Sequence, residues 1–210
     1  MQRYDLLSII YGIKEHSNIV PMNVVEIGSR DGDDAYMLAK NFGLSEENCY
    51  VFEPNPEAAE RILKTYPRMH LYNNAVTDVS GQTLDFQVEK ENIGASSLLK
   101  RNVPNEHNTV KVETITMADW IEVEQIPAIS ICKIDVEGMT LPVLESFGKY
   151  IDRLQSIQLE NEHVEIWKNQ TLYPDVAKWL ESKGFVQISF QLLRGIQSDS
   201  FWVRRERMLL

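Results

Sequence analysis

The sequence predicts an α/β fold: a mostly parallel central sheet with helices on both faces, a β-ribbon inserted around residues 79–116, and an antiparallel hairpin near the C-terminal end. Three observations predict it. Apolar runs of strand length alternate with stretches of helical period from residue 4 to residue 74. The stretch 79–116 breaks that alternation with two β-rich segments around a polar loop. From residue 185 onward the chain reads strand, loop, strand. At 210 residues, 43% of them hydrophobic and 25% charged, the chain suits one globular domain with a sizeable core.

Taken in order, residues 4–16 read as an amphipathic helix with Leu6, Ile9, Ile10 and Ile13 on one stripe, part of an N-terminal helical extension over 1–20. Residues 24–28 read as a buried strand, followed by a turn and a helix over 33–41. A second strand is expected at 49–52, a second helix over 56–66 opened by Pro56, and a third strand at 70–74. This βαβαβ run calls for parallel pairing with right-handed crossovers. Residues 83–88 and 109–116 look like ribbon strands flanking the polar loop 92–107. Strands follow at 129–134 and 154–159, separated by a segment of helical character over 139–147. A helix at 173–183 and strands at 185–190 and 200–204 complete the reading.

Formal net charge is −10, from 21 Lys and Arg against 31 Asp and Glu. A protein that grips a phosphate backbone concentrates basic residues to release counterions. Here they are scattered, and Arg204, Arg205 and Arg207 read as a solvated tail, so no nucleic acid partner is expected. No apolar run approaches the roughly 18–20 residues that span a bilayer, and the first residues show neither a signal-peptide core nor a lipidation motif. The two cysteines, Cys49 and Cys132, fall in expected strands and receive no role; a reducing cytoplasm is the expected setting.

The most informative stretch is Lys133-Ile134-Asp135-Val136-Glu137-Gly138, which puts two carboxylates at or just past the end of a buried strand. In open α/β sheets, ligands bind outside the carboxyl ends of the strands. The first strand-to-helix turn, Val25-Glu26-Ile27-Gly28-Ser29-Arg30-Asp31-Gly32-Asp33, offers glycines where backbone must approach a ligand. Their spacing is G-x-x-x-G, not G-x-G-x-x-G, and Asp31, Asp33 and Asp34 crowd the helix end that a diphosphate would need. Such acids suit a cationic ligand with an amino-acid moiety; helix capping is the structural alternative. Phe52-Glu53-Pro54-Asn55-Pro56 sets an acid 25 residues after Gly28, placed to accept both hydroxyls of a ribose. Together these motifs point to a nucleoside with a charged amino-acid tail. S-adenosylmethionine (SAM) fits that description and NAD fits poorly.

With those residues in place, the chain resembles FkbM-type methyltransferases, a branch of the SAM-dependent class I methyltransferases with a Rossmann-like fold. The resemblance runs through Glu26-Ile-Gly-Ser-Arg-Asp-Gly32, Phe52-Glu-Pro-Asn-Pro56, Asn74-Ala-Val-Thr-Asp78 with Gly81, Ala95-Ser-Ser-Leu98 and Lys133-Ile-Asp-Val-Glu-Gly138, and covers about residues 22–204. The glycine turn is generic to the superfamily; the Ala-Ser-Ser-Leu tract combined with Lys-Ile-Asp-Val-Glu-Gly is more specific. The family often carries Asp-x-Gly-Ala-Asn in the first turn, so Arg30 here departs from a small amide.

The resemblance implies that Glu26, Gly28, Ser29 and Asp31 line the methionine and ribose part of SAM, and that Glu53, followed by Pro54, holds the ribose hydroxyls. Asn74 and Ala75 would lie against the adenine, and Ser96 and Ser97 in a loop folding over the cofactor. Asp135 stands where the methyl group would be presented, as a base or, if Lys133 keeps it ionised, as an orienting group. Glu137 is open between substrate contact and helix capping.

After the fifth expected strand comes Glu160-Asn161-Glu162-His163. Some small-molecule O-methyltransferases place acids and an amide at comparable strand ends to hold Mg²⁺, and hard oxygen ligands suit magnesium or calcium. His163 is the metal-free alternative base, its ordinary pKa lying near neutrality. Glu160 and Asn161 are thus candidate substrate or metal contacts, and Trp167 and Tyr173 either an apolar or stacking wall for a sugar or part of the core packing.

The expected function is a SAM-dependent O-methyltransferase acting on a hydroxyl of a sugar, glycan or related small metabolite, a substrate class implied by the resemblance. A dinucleotide-dependent oxidoreductase and a non-catalytic SAM-binding module are the alternatives. DNA amino-methylation is disfavoured by the charge and by the lack of an Asn/Asp-Pro-Pro-Tyr/Phe tetrapeptide.

Overall fold

A computed structural model describes residues 4–103, 106–193 and 195–209; Pro104 and Asn105 of the expected polar loop lie outside the described residues. Seven strands form the main sheet. In chain order they are β1 (Val24–Ile27), β2 (Cys49–Phe52), β3 (His70–Tyr72), β7 (Ile131–Ile134), β8 (Ser156–Glu162), β9 (Phe185–Leu193) and β10 (Gln197–Arg204). Their order across the sheet is β3-β2-β1-β7-β8-β10-β9, and only β10 runs against the others. A second sheet holds β4 (Ala75–Val76), β6 (His107–Ile115) and β5 (Thr83–Glu89). The expected mixed sheet, inserted ribbon and terminal hairpin are all present.

Successive strand residues point to opposite faces, and the sequence fills both. Val25, Ile27, Cys132, Ile134, Ile157 and Leu159 face one core, shared with α4 (Met117–Val123), α5 (Thr140–Glu145) and α6 (Tyr173–Ser182). Val24, Val51, Ile131, Phe201 and Val203 face the other, closed by α1 (Tyr4–His16), α2 (Asp33–Asn41) and α3 (Pro56–Thr65). Leu6, Ile9 and Ile13 form the buried stripe of α1, while Ile10 is only partly buried beside it.

The direction in which successive strands are added across the sheet reverses between the parallel neighbours β1 and β7. From β1 the strands step outward through β2 to β3; from β7 they step the other way. The crevice at such a switch point is where this architecture binds ligands. Helix starts are locally encoded around it: Asn55 accepts the Glu57 backbone N–H at 3.1 Å ahead of Pro56, and Thr116 accepts that of Asp119 at 3.1 Å to open α4.

Four expectations change. The third strand, expected over 70–74, ends at Tyr72 in the main sheet, and Ala75–Val76, just past the expected end, forms a separate strand that pairs with β6. Asn73 makes the break, its side-chain amide donating to the Glu53 and Pro54 carbonyls at 2.8 and 3.1 Å. Helix α4 was not foreseen. Strand β8 runs on through Glu160, Asn161 and Glu162, which the sequence placed beyond its end. Arg204 is buried and not part of a solvated tail; it stacks on Phe185, pairs with Asp152 at 3.2 Å, and donates to the Leu154 and Lys183 carbonyls at 3.0 and 3.1 Å. Among the described residues, no helix is long and apolar enough to cross a membrane.

Candidate functional site

Two adjoining clefts open at the switch point. The first, about 610 Å³ and open to solvent, runs from Gly28 past Glu53 and Pro54 to Asn74, Ala75 and Ser96. The second, about 1280 Å³, is floored by Asp31, Asp34, Lys133, Asp135, Glu137 and Glu160. Gly28, Arg30, Gly94 and Asp135 border both.

The turn after β1 is held open by close packing. Gly28 sits at φ 79°, and a Cβ there would collide with the Asp135 carbonyl oxygen. Arg30 is also left-handed, at φ 63°, a conformation that a side chain adopts only at a cost. Its backbone N–H donates to Glu53 at 2.7 Å, and its guanidinium forks onto Asp31 at 2.9 and 2.7 Å. Glu26 lies beneath this turn, only 1% exposed, and accepts from Ser29 Oγ at 2.9 Å and the Ala35 N–H at 3.1 Å; Ser29 Oγ in turn accepts the Gly32 N–H at 2.9 Å. Glu26 and Ser29 therefore brace the turn from inside. Burial pushes the Glu26 carboxyl up to about 8 against the pull of Lys133.

Glu53 is set at the mouth of the first cleft. Arg30 N–H holds one of its oxygens, and the Asn55 N–H the other at 2.8 Å. Burial raises its pKa, and these two donors pull the other way. The carboxylate is thus fixed in direction, with lone pairs to spare for a pair of vicinal hydroxyls. Asn74, Ala75 and Ser96 line the same cleft.

Asp135 stands at the junction of the clefts. Burial would raise its pKa, but the ammonium of Lys133, 3.3 Å away, a hydrogen bond with Glu160 and the Arg30 charge hold it below the usual carboxylate range. Lys133 also pairs with Asp34 at 3.3 Å. Carboxyl oxygens of Asp135, Glu137 and Glu160 lie within 4.8 Å of one another. That crowding, with burial as the larger cause, lifts Glu137 to about 9 and Glu160 to about 11; Glu162 rises to about 7. At neutral pH the floor therefore holds an ionised Asp135 hydrogen-bonded to a protonated Glu160.

The structure does not bring every candidate here. Asn161 points to the opposite face of β8, where its amide donates to Ser200 Oγ at 2.9 Å and to the Leu159 and Ser198 carbonyls at 3.3 Å. His163 shares that face, 2.9 Å from Ser198 Oγ between the rings of Tyr173 and Phe190. Trp167 is buried behind Gly138, a Cβ on which would lie 3.3 Å from it. Ser97 lies behind both clefts. Sequence reasoning missed Arg30 as a border of both clefts, Gly94 and Met139 beside the first, and Leu192 and Leu193, which wall the second. The adjacent leucines near the hairpin tip were visible, but their distance from the acids was not.

A model of the FkbM methyltransferase domain matches residues 26–186. The fold is similar to that of the methyltransferase FkbM from Methylobacillus flagellatus (TM-score 0.58, 13% identity), covering 87% of this chain but only 43% of that one. It is also similar to a ribosomal protein L11 methylase from Lactobacillus delbrueckii (TM-score 0.55, 9% identity, 96% and 76% covered). An O-methyltransferase from Bacillus cereus in complex with SAH, the demethylated product of SAM, gives TM-score 0.53 at 14% identity, with 97% and 82% covered. At such identities these likenesses speak for the fold. No curated protein matches the chain.

Proposed function

The chain belongs to the FkbM methyltransferase family, and from that premise we propose that it transfers a methyl group from SAM to a hydroxyl of a neutral sugar, glycan or related small metabolite. The observation that carries this reading is Asp135, ionised and shared between the cleft that Glu53, Asn74 and Ala75 line and the acid-floored one.

In this reading, Glu53 accepts both ribose hydroxyls, Asn74 and Ala75 flank the adenine, and Ser96 closes the first cleft. Gly28 lets the methionine portion pass against backbone. SAM held there would bring its methyl group toward Asp135. Methyl transfer is an in-line displacement: the acceptor oxygen forms a bond to the methyl carbon as the sulfur–carbon bond breaks and the pair stays on sulfur, releasing SAH. Alignment of the two reactants is worth roughly 7–11 kcal/mol of barrier. Because Lys133 holds Asp135 ionised and weakly basic, its first task is orientation. It accepts the acceptor hydroxyl's hydrogen bond and takes the proton as that oxygen turns acidic on methylation, a contribution of about 10²- to 10⁴-fold.

The second cleft also constrains the acceptor. With Glu137 and Glu160 protonated at neutral pH, the charge that disfavours phosphate and carboxylate groups rests on Asp31, Asp34 and Asp135, partly offset by Arg30 and Lys133, and Leu192 and Leu193 offer an apolar wall. A neutral hydroxyl compound meets both conditions. Asp135, Glu137 and Glu160 are also a hard-oxygen donor set of the kind that holds Mg²⁺; activity that survives EDTA removes that role.

The test is a mass-shift screen of neutral glycosides and polyols with SAM. A gain of one methyl group by the wild type, lost in Asp135→Ala at unchanged SAM affinity, is the expected result. Wild-type turnover in Asp135→Ala overturns the assignment.

A further inference from the structure

One buried residue lines neither cleft. Ser97 is 2% exposed. Its Oγ donates to the Glu137 carbonyl at 2.7 Å and accepts the Leu99 N–H at 3.0 Å. Its backbone is locked separately, exchanging two hydrogen bonds with Gln87 of β5 at 2.9 and 3.1 Å. Its neighbours Gly94 and Ser96 line the first cleft.

The turn it reaches is strained. Glu137 is left-handed at φ 47°, which costs a residue with a side chain on the order of 1–3 kcal/mol unless its surroundings impose it. Gly138 follows at φ 88°, so close to Leu99 and Trp167 that a Cβ would lie 3.2 and 3.3 Å from them. Its N–H donates to the Glu162 carboxylate. Packing behind the turn blocks it from backing away, and the Ser97 hydroxyl holds it from the front. Further along, Arg101 bridges Trp167 and the Asn102 N–H donates to the Ile166 carbonyl at 2.9 Å, so the segment is pinned on both sides of Ser97.

We propose that Ser97 is a positioning residue of the acceptor side. Its hydroxyl fixes the Glu137-Gly138 turn, and with it the Glu137 carboxyl in the floor of the second cleft, while making no contact with the cofactor. The segment that closes the nucleoside cleft through Ser96 thereby sets the acceptor acid through Ser97, making the two clefts one mechanical unit. This rests on reading the clefts as donor and acceptor sides of a methyl-transfer site.

The experiment combines hydrogen exchange with SAH calorimetry on wild type, Ser97→Ala and Ser97→Thr. In Ser97→Ala, amides 138 and 139 should exchange about 5- to 10-fold faster, the factor equivalent to one hydrogen bond of about 1–1.5 kcal/mol. Strand amides in β1 and β7 should keep their protection, SAH affinity should stay within about 2-fold, and Ser97→Thr, which keeps the hydroxyl, should return exchange to the wild-type rate. A tenfold or greater loss of SAH affinity would make Ser97 a cofactor ligand and overturn the proposal. So would unchanged exchange at 138 and 139, loss of protection spread evenly over β1 and β7, or a Ser97→Thr variant as fast as Ser97→Ala. Failure of the wild type to bind SAH would instead strike the methyltransferase reading, leaving the exchange result to stand by itself.

Discussion

Gly28 is confined twice over, by a left-handed backbone and by the Asp135 carbonyl where a Cβ would go. Gly28→Ala should therefore destabilise the protein by about 3 kcal/mol or more, read from urea unfolding. A neutral or small change there would mean that the two strand ends are not packed as described. Glu137 makes a pH-dependent prediction. Below the ordinary glutamate range it is protonated in both folded and unfolded chains. Above it, and up to about 9, only the folded chain keeps the proton, so stability contributed by this group declines as pH rises through that window. Glu137→Gln should match wild type in melting temperature near pH 4 and exceed it near pH 8.5, by about 2–4 °C per kcal/mol recovered. Residue identities at the site were legible where chemistry is carried by type: Glu53, Asp135 and the glycine turn stand where the sequence placed them. Asn161 and His163 were not, because a polar residue in a buried strand looks like a loop until its partners are known, and Ser198 and Ser200 lie far along the chain.

At the scale of elements, the parallel core was readable because its strands are short apolar runs and α3 and α6 each open beside a proline. Helix α4 escaped because its seven residues give too few turns for a periodic pattern, although Thr116 carried the cap. Thr116→Ala should cost about 1 kcal/mol in unfolding free energy; an unaltered value would show that tertiary packing of Trp120 and Ile121, not the cap, sets where α4 begins. The short strand Ala75–Val76 was hidden for a related reason. Two residues give no strand pattern of their own, and the Asn73 amide, turned back onto the Glu53 and Pro54 carbonyls, separates His70–Tyr72 from Ala75–Val76, which enter different sheets. That break matters to the site, since it lets Asn74 and Ala75 line the first cleft.

Across the whole molecule, a formal charge of −10 and the acid-floored second cleft act in the same direction. Acceptors bearing phosphate or carboxylate should turn over more slowly than their neutral counterparts, with the gap in kcat/KM narrowing as salt rises and the field is screened. A salt-independent preference would place the discrimination in shape instead. All of this depends on a nucleoside occupying the cleft between Gly28 and Ala75, with Glu53 at its ribose. Calorimetric titration with SAH tests that most directly. The wild type should bind one equivalent, and Glu53→Ala should bind about 10- to 100-fold more weakly, the loss expected for hydrogen bonds to a charged group. No binding by the wild type, or equal affinity in Glu53→Ala, would contradict the account.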